Sequence, residues 1–214
     1  MDDAVHTRKL TLRDIEDLRA YERGRPEYRR AVIALKSRRR VAVGPIVSLV
    51  FENRETMRSQ VQEMARAEHM VSDEQIQQEL DAYNPLIPEP GELSATMFIE
   101  LSGEEALREW LPKLVGVEHA LSIHVGAEPA GEDGPPGGAG VAVVRAVPEQ
   151  AHAEALTRDE VTASVHYLRF AFDEAQVARF AAEPAAVVVD HPHYQARALL
   201  GPEAKAELLG DLRP

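Results

Sequence analysis

Val47, Leu49 and Phe51 fall on one side of an extended segment, and Ile46, Ser48 and Val50 fall on the other. This is the period-two alternation of a strand rich in β-branched residues. Together with the shorter run before the Gly44-Pro45 turn, it predicts two consecutive strands. Asn53 then stands where a helix cap belongs, Glu55 lies in the first turn, and Met57, Val61, Met64 and Glu68 mark helical spacing. The stretch from Arg38 to Met70 therefore sets a sheet and a helix together.

Upstream, Leu10, Leu12, Ile15 and Leu18 precede a break at Gly24 to Pro26, after which Tyr28, Val32, Ile33 and Leu35 resume. The pattern predicts two helices separated by a turn, the first capped by Thr11 or Asp14. Downstream, Ser72 caps a helix carrying Ile76, Leu80 and Tyr83 that ends at Asn84-Pro85. Further strands are predicted over 91–101, 120–125, 140–147, 161–172 and 185–190. Helices are predicted over 103–114, 149–158 and 173–183, and from Pro202 to Leu209 with Gly210 as the stop. The segment 126–140, GAEPAGEDGPPGGAG, has too little apolar side chain to offset ordering and reads as a mobile surface loop. Strands and helices are interspersed without strict alternation, and several strands have one apolar and one polar face. The expected fold is α+β, a mixed, mostly antiparallel sheet packed with amphipathic helices in a single domain over 1–214. No glycine-rich phosphate fingerprint follows any strand, which argues against a Rossmann unit.

Charge changes this picture in one respect. The 214 residues carry a formal net charge of −12, yet residues 1–70 hold 15 Lys and Arg against 11 Asp and Glu, leaving 9 against 25 for the remainder. The amino-terminal third is thus the basic pole of an acidic chain, a balance that opposes non-specific nucleic-acid binding but allows a local contact with an acidic partner. There is no cysteine, so no disulfide, thiol nucleophile or Cys-ligated cluster can form within this chain, and any metal would need His and carboxylate ligands. No apolar stretch is long enough for a membrane span and Met1 to Leu10 lacks the middle of a secretory signal, so the expected location is cytoplasmic.

Three groups of residues can carry chemistry. If the strands share one inside and one outside, Glu52, Glu100, His124, Tyr167 and Arg169 project from the polar face, with Ser48, Ser94, Thr96 and Ser122 among them. They would offer acid, base and anion-binding groups in one depression, or simply a solvated face. Asp190, His191 and His193 form a carboxylate and H-x-H group that would suit Zn, Fe, Ni or Cu, or else ordinary loop hydrogen bonds. His166 shares its face with Leu168, Phe170 and Phe172 and reads as a satisfied core histidine, while His119 carries no signal. Arg38, Arg39 and Arg40 end a basic series, Arg23, Arg25, Arg29, Arg30 and Lys36, that can grip an acidic protein surface or pair internally.

Several runs carry a resemblance: R-K-L-T-L-x-D-I from Arg8, Y-E-R-x-R-P-E-Y-R-R from Tyr21, G-P-I-V-S-L-V-F-E-N-R-E-T from Gly44, E-L-D-A-Y-N-P-L-I-P from Glu79, G-E-L-S-A-T-M-F-I-E from Gly91, and D-H-P-x-Y from Asp190. The chain resembles the bacterial family catalogued as domain of unknown function 3501, over nearly its whole length outside the Gly/Pro segment. The resemblance brings no assigned catalytic residue. It implies a setting: members of that family tend to be encoded beside rubrerythrin and an iron–sulfur oxidoreductase, a redox or peroxide-handling context. A thiol-free protein there is expected to be an accessory or docking partner. The alternative is a small enzyme using the polar sheet face, with or without a His-ligated metal.

Overall fold

The computed structural model describes residues 8–126, 140–149 and 161–213. Within them lie eight strands, β1 (Arg40–Val43), β2 (Val47–Glu52), β3 (Glu92–Ile99), β4 (Leu121–Val125), β5 (Ala142–Pro148), β6 (Val165–Ala171), β7 (Ala185–His191) and β8 (Tyr194–Leu199). Six helices accompany them: α1 (Leu18–Arg38), α2 (Arg54–Ala67), α3 (Asp73–Tyr83), α4 (Glu104–Lys113), α5 (Glu174–Ala182) and α6 (Pro202–Leu212). The strands form one sheet in the order β1-β2-β3-β6-β5-β4-β7-β8, and every neighbouring pair is antiparallel. The fold is α+β, as the interspersed, not strictly alternating, strand and helix patterns predict.

The sheet curls until its two edges meet. Across the seam the Tyr194 hydroxyl of β8 donates to the Val43 carbonyl of β1 at 2.5 Å. Gly44, with a φ of +72°, lets the turn after β1 press against the same tyrosine and Ala196. The result is nearly a barrel. Its interior is filled by the apolar face of each strand, Leu49, Phe51, Met97, Ile123, Phe170 and Val187 among them, all fully buried. At one end Phe172, Phe180, Leu208 and Leu212, from α5, α6 and their approaches, close the core; at the other, Leu114 and Val117, between α4 and β4, do so. A small barrel of this kind is a packed core with no lumen.

The outer wall is covered along part of its circumference. Leu10, Met57, Val61, Leu80, Leu86 and Ile87 make a second apolar group between α2, α3 and the wall, and Tyr167 packs against it. Ser48, Val50, Glu52, Ser94 and Thr96 are buried as a consequence. β2 and most of β3 are therefore dry on both faces, where the sequence pattern predicts one wet face. α1 in turn lies on α2, with Tyr21 and Arg25 both bonded to the Glu63 carboxylate.

Local signals explain most element ends. Asn53 and Ser72 cap α2 and α3 through reciprocal bonds with Thr56 and Gln75. Three expectations are corrected. The break at Gly24 to Pro26 does not exist, because α1 runs continuously through Pro26 and begins at the Asp17 cap; the bonds of Tyr21 and Arg25 to Glu63 hold this stretch against α2. The upstream segment is only a 3-10 turn at Leu12–Asp14. α6 does not stop at Gly210, because Leu212 is needed in the core and Arg8 bonds the carbonyls of Asp211 and Arg213 at its end. β8 has no counterpart in the predicted elements. The helix predicted over 149–158 and the loop over 126–140 fall almost wholly outside the described residues.

Candidate functional site

The five polar-face candidates share the outer side of the sheet but not one place on it. Glu52 on β2, Ser94 and Thr96 on β3, and Tyr167 and Arg169 on β6 are cross-strand neighbours. Glu52 accepts from the Thr96 hydroxyl at 2.6 Å, and its other oxygen, Oε2, is buried with no hydrogen-bond partner among the described residues. Burial first, then the nearby Tyr83 and Glu52, pushes the Tyr167 hydroxyl's pKa up. α2 and α3 cover this group. Arg169 turns away from Glu52, to Glu92 and the Pro85 carbonyl. Glu100 lies past the end of β3 and pairs with Arg40.

His124 sits on β4, four strands along the sheet from Glu52. Its Nε2 lies 3.0 Å from the Ser122 hydroxyl, both residues being buried. Burial, followed by the charges of Arg197 and Arg145, lowers its pKa, and Asp190 opposes them. The neutral imidazole and the hydroxyl form a nucleophile-and-base pair. Register explains the arginines: Ser122 lies opposite Arg145 on β5 and Val188 on β7, which in turn lies opposite Arg197 on β8.

In the β7–β8 hairpin, strand alternation parts Asp190 from the two histidines, His191 and His193, whose rings lie 5.9 Å apart. His191 points inward, its Nε2 3.1 Å from the Val115 carbonyl and its Nδ1 accepting from the His193 amide at 3.3 Å. Asp190, one residue earlier, is exposed on the other face and accepts from Gln195. Among the described residues, no set of three or more His, Asp or Glu side chains already converges as a metal cage.

Arg38, Arg39 and Arg40 are placed very differently from one another. Arg39 is 1% exposed; it bonds the Phe51 and Glu52 carbonyls and pairs with Asp211 and Glu207. Arg38 pairs with Glu207 at the surface, and Arg40 reaches Glu100, Ser48 and the face of Phe98. The exposed part of the basic series lies instead along α1. There Ile33, 61% exposed, stands one turn from Arg29 and Arg30 on one side and from Lys36 on the other. Ile33 belongs to the apolar pattern that resumes after Pro26, but it stands about 100° around α1 from buried Val32 and so faces outward. His166 is a satisfied core histidine, bonded through Nε2 to Thr162 and the Ala163 carbonyl.

The architecture defines a class: an α+β protein built on a filled, nearly closed antiparallel barrel with helices on its outer wall and across its ends. The chain belongs to the family described as "Protein of unknown function (DUF3501)", which it matches over residues 9–212. It is similar in structure to a novel protein of unknown function from Burkholderia pseudomallei K96243, with a TM-score of 0.82 and 36% identity, covering 95% of this chain and 99% of that one. No curated protein matches it. None of the described helices is long and apolar enough to cross a membrane.

Proposed function

We propose that the protein is an accessory docking partner in a redox or peroxide-handling system, and that its partner is an iron–sulfur oxidoreductase of the kind encoded, with rubrerythrin, beside similar genes. The observation that carries this reading is the outward face of α1, where an exposed isoleucine is ringed by Arg29, Arg30 and Lys36 on a chain whose net charge is −12. An apolar residue inside a charged rim is how a protein contact is anchored and steered, and the sign of the rim selects an acidic partner surface. Arg38 and Arg40 lie off this face, paired with Glu207 and Glu100, so the rim rests on Arg29, Arg30 and Lys36. Arg39 takes no part, being committed inside the fold.

Co-purification tests the reading. Tagged partner is expected to retain the wild-type chain and to release the R29E/R30E/I33D variant, whose substitutions all lie at exposed positions. Equal recovery of both overturns it.

A second reading, a small hydrolase-type enzyme, is favoured by the buried Ser122–His124 pair. It requires Ser122 to react with a fluorophosphonate probe and the label to vanish in Ser122→Ala. An unlabelled wild-type chain removes it.

A further inference from the structure

We infer that Ser122, His124 and Arg145 form a binding site for a phosphate-type oxyanion, on the outer wall of the barrel where β4 runs beside β5. The site is independent of the docking reading, and it does not require Ser122 to be a nucleophile. Antiparallel register lays its residues out in two rows across the sheet. Arg145 on β5, Ser122 on β4, Val188 on β7 and Arg197 on β8 make one row; Val143, His124, Ala186 and Leu199 make the next. Ser122 and His124 are 6% and 7% exposed, with the hydroxyl 3.0 Å from Nε2. Their β5 neighbours Arg145 and Val143 are both exposed, so the pair can be reached from that side.

The charges there suit an anion. No hydrogen bond or ion pair holds Arg145 among the described residues, whereas Arg169, also on an outward position of the sheet, is paired with Glu92. Arg197 brings a second positive charge at the far end of the row. Both charges are felt at His124 against the single opposing carboxylate of Asp190, which is already bonded to Gln195. The Ser122–His124 pair supplies the remaining contact. Together the hydroxyl and the neutral ring hold two hydrogens and their mutual bond uses one, so the other is left to donate whichever tautomer the ring adopts. The shape of the acceptor follows from these donors. A carboxylate meets a guanidinium fork with both oxygens in one plane, whereas a tetrahedral phosphate keeps a further oxygen out of that plane for the pair.

The test titrates the full chain with inorganic phosphate and with phenyl phosphate at constant ionic strength, read by calorimetry and by the ring signals of His124. Saturable binding of one phosphate per chain is expected. The His124 signals should move and the ring's titration midpoint should rise, because a bound anion favours its charged form. Arg145→Gln, at an exposed position, should weaken binding by about tenfold, the loss of one charge-assisted contact. Arg108→Gln, which removes an exposed arginine on α4, should leave it unchanged. Tighter binding of phenyl phosphate assigns a phosphate ester and equal binding the free ion; either carries the site. No saturable binding in the millimolar range, binding indifferent to Arg145→Gln, an equal loss in Arg108→Gln, or His124 signals that ignore phosphate overturns it. The result is separable from the enzyme reading. Phosphate binding by a chain whose Ser122 resists the fluorophosphonate probe keeps this site and removes the hydrolase; a labelled chain that binds no phosphate does the reverse.

Discussion

The Tyr194 hydroxyl donates to the Val43 carbonyl across the seam where the last strand meets the first. Only this end of the sheet has to be joined by a side chain, since the other strand pairs are joined by backbone ladders. Tyr194→Phe leaves a buried carbonyl without its donor and should cost about 1–2 kcal/mol, read by urea unfolding. Gly44→Ala should cost as much or more, because its added Cβ would meet the tyrosine ring and Ala196 in a left-handed turn.

Arg39 and Arg38 are neighbours with opposite fates. Truncating buried Arg39 to Met strands Asp211 and is expected to cost about 3 kcal/mol, while Arg38→Ala should stay within about 0.5 kcal/mol. Burial already raises the Asp211 pKa, and Arg39 is the main influence holding it down. In the variant it should rise further. An acid with a raised folded pKa contributes stability that is present below its unfolded value and lost as pH rises through the folded one. The R39M deficit should therefore shrink as pH is lowered from 7 toward 4, in parallel denaturation curves.

Glu63 makes the reverse case. Hydrogen bonds from Arg25 and Tyr21 outweigh burial and hold its carboxyl at about 2, below the usual 4.5. Its contribution is present above the unfolded value and fades as pH falls from about 4.5 through about 2. Because the pair is partly solvated, Glu63→Gln should cost only about 1 kcal/mol at pH 7. The two proteins should converge in stability near pH 2.

His124 should titrate below 6.5 in a proton or nitrogen NMR titration, since burial and the two flanking arginines disfavour its charged form. The stability it confers is present above 6.5 and is lost as pH falls through the folded value. Arg145→Gln removes one of the two repelling charges and should raise the midpoint.

Strand faces were readable because β2 alternates strictly: Val47, Leu49 and Phe51 did turn inward. What alternation cannot carry is position around a curled sheet. Glu52 and His124 both face outward, yet three strands separate them, so a shared polar face did not become a shared pocket. The inward residues of β8 after Tyr194 are Ala196 and Ala198, too small and too weakly β-forming to announce a strand. Pro26 suggested a helix end by its local cost, and contacts of α1 with α2 outweighed it. Arg145, Ser122 and Arg197 are distant in sequence and share a row only through the pairing of four strands, so no spacing could have linked them.

The docking face of α1 is tested most directly by calorimetric titration of the purified chain into the purified iron–sulfur oxidoreductase at low and at high salt. The account predicts saturable binding that weakens as salt rises and is lost in R29E/R30E/I33D, with that variant's melting temperature unchanged. Absence of binding at concentrations of tens of micromolar, or binding that is indifferent to both salt and the variant, would contradict it.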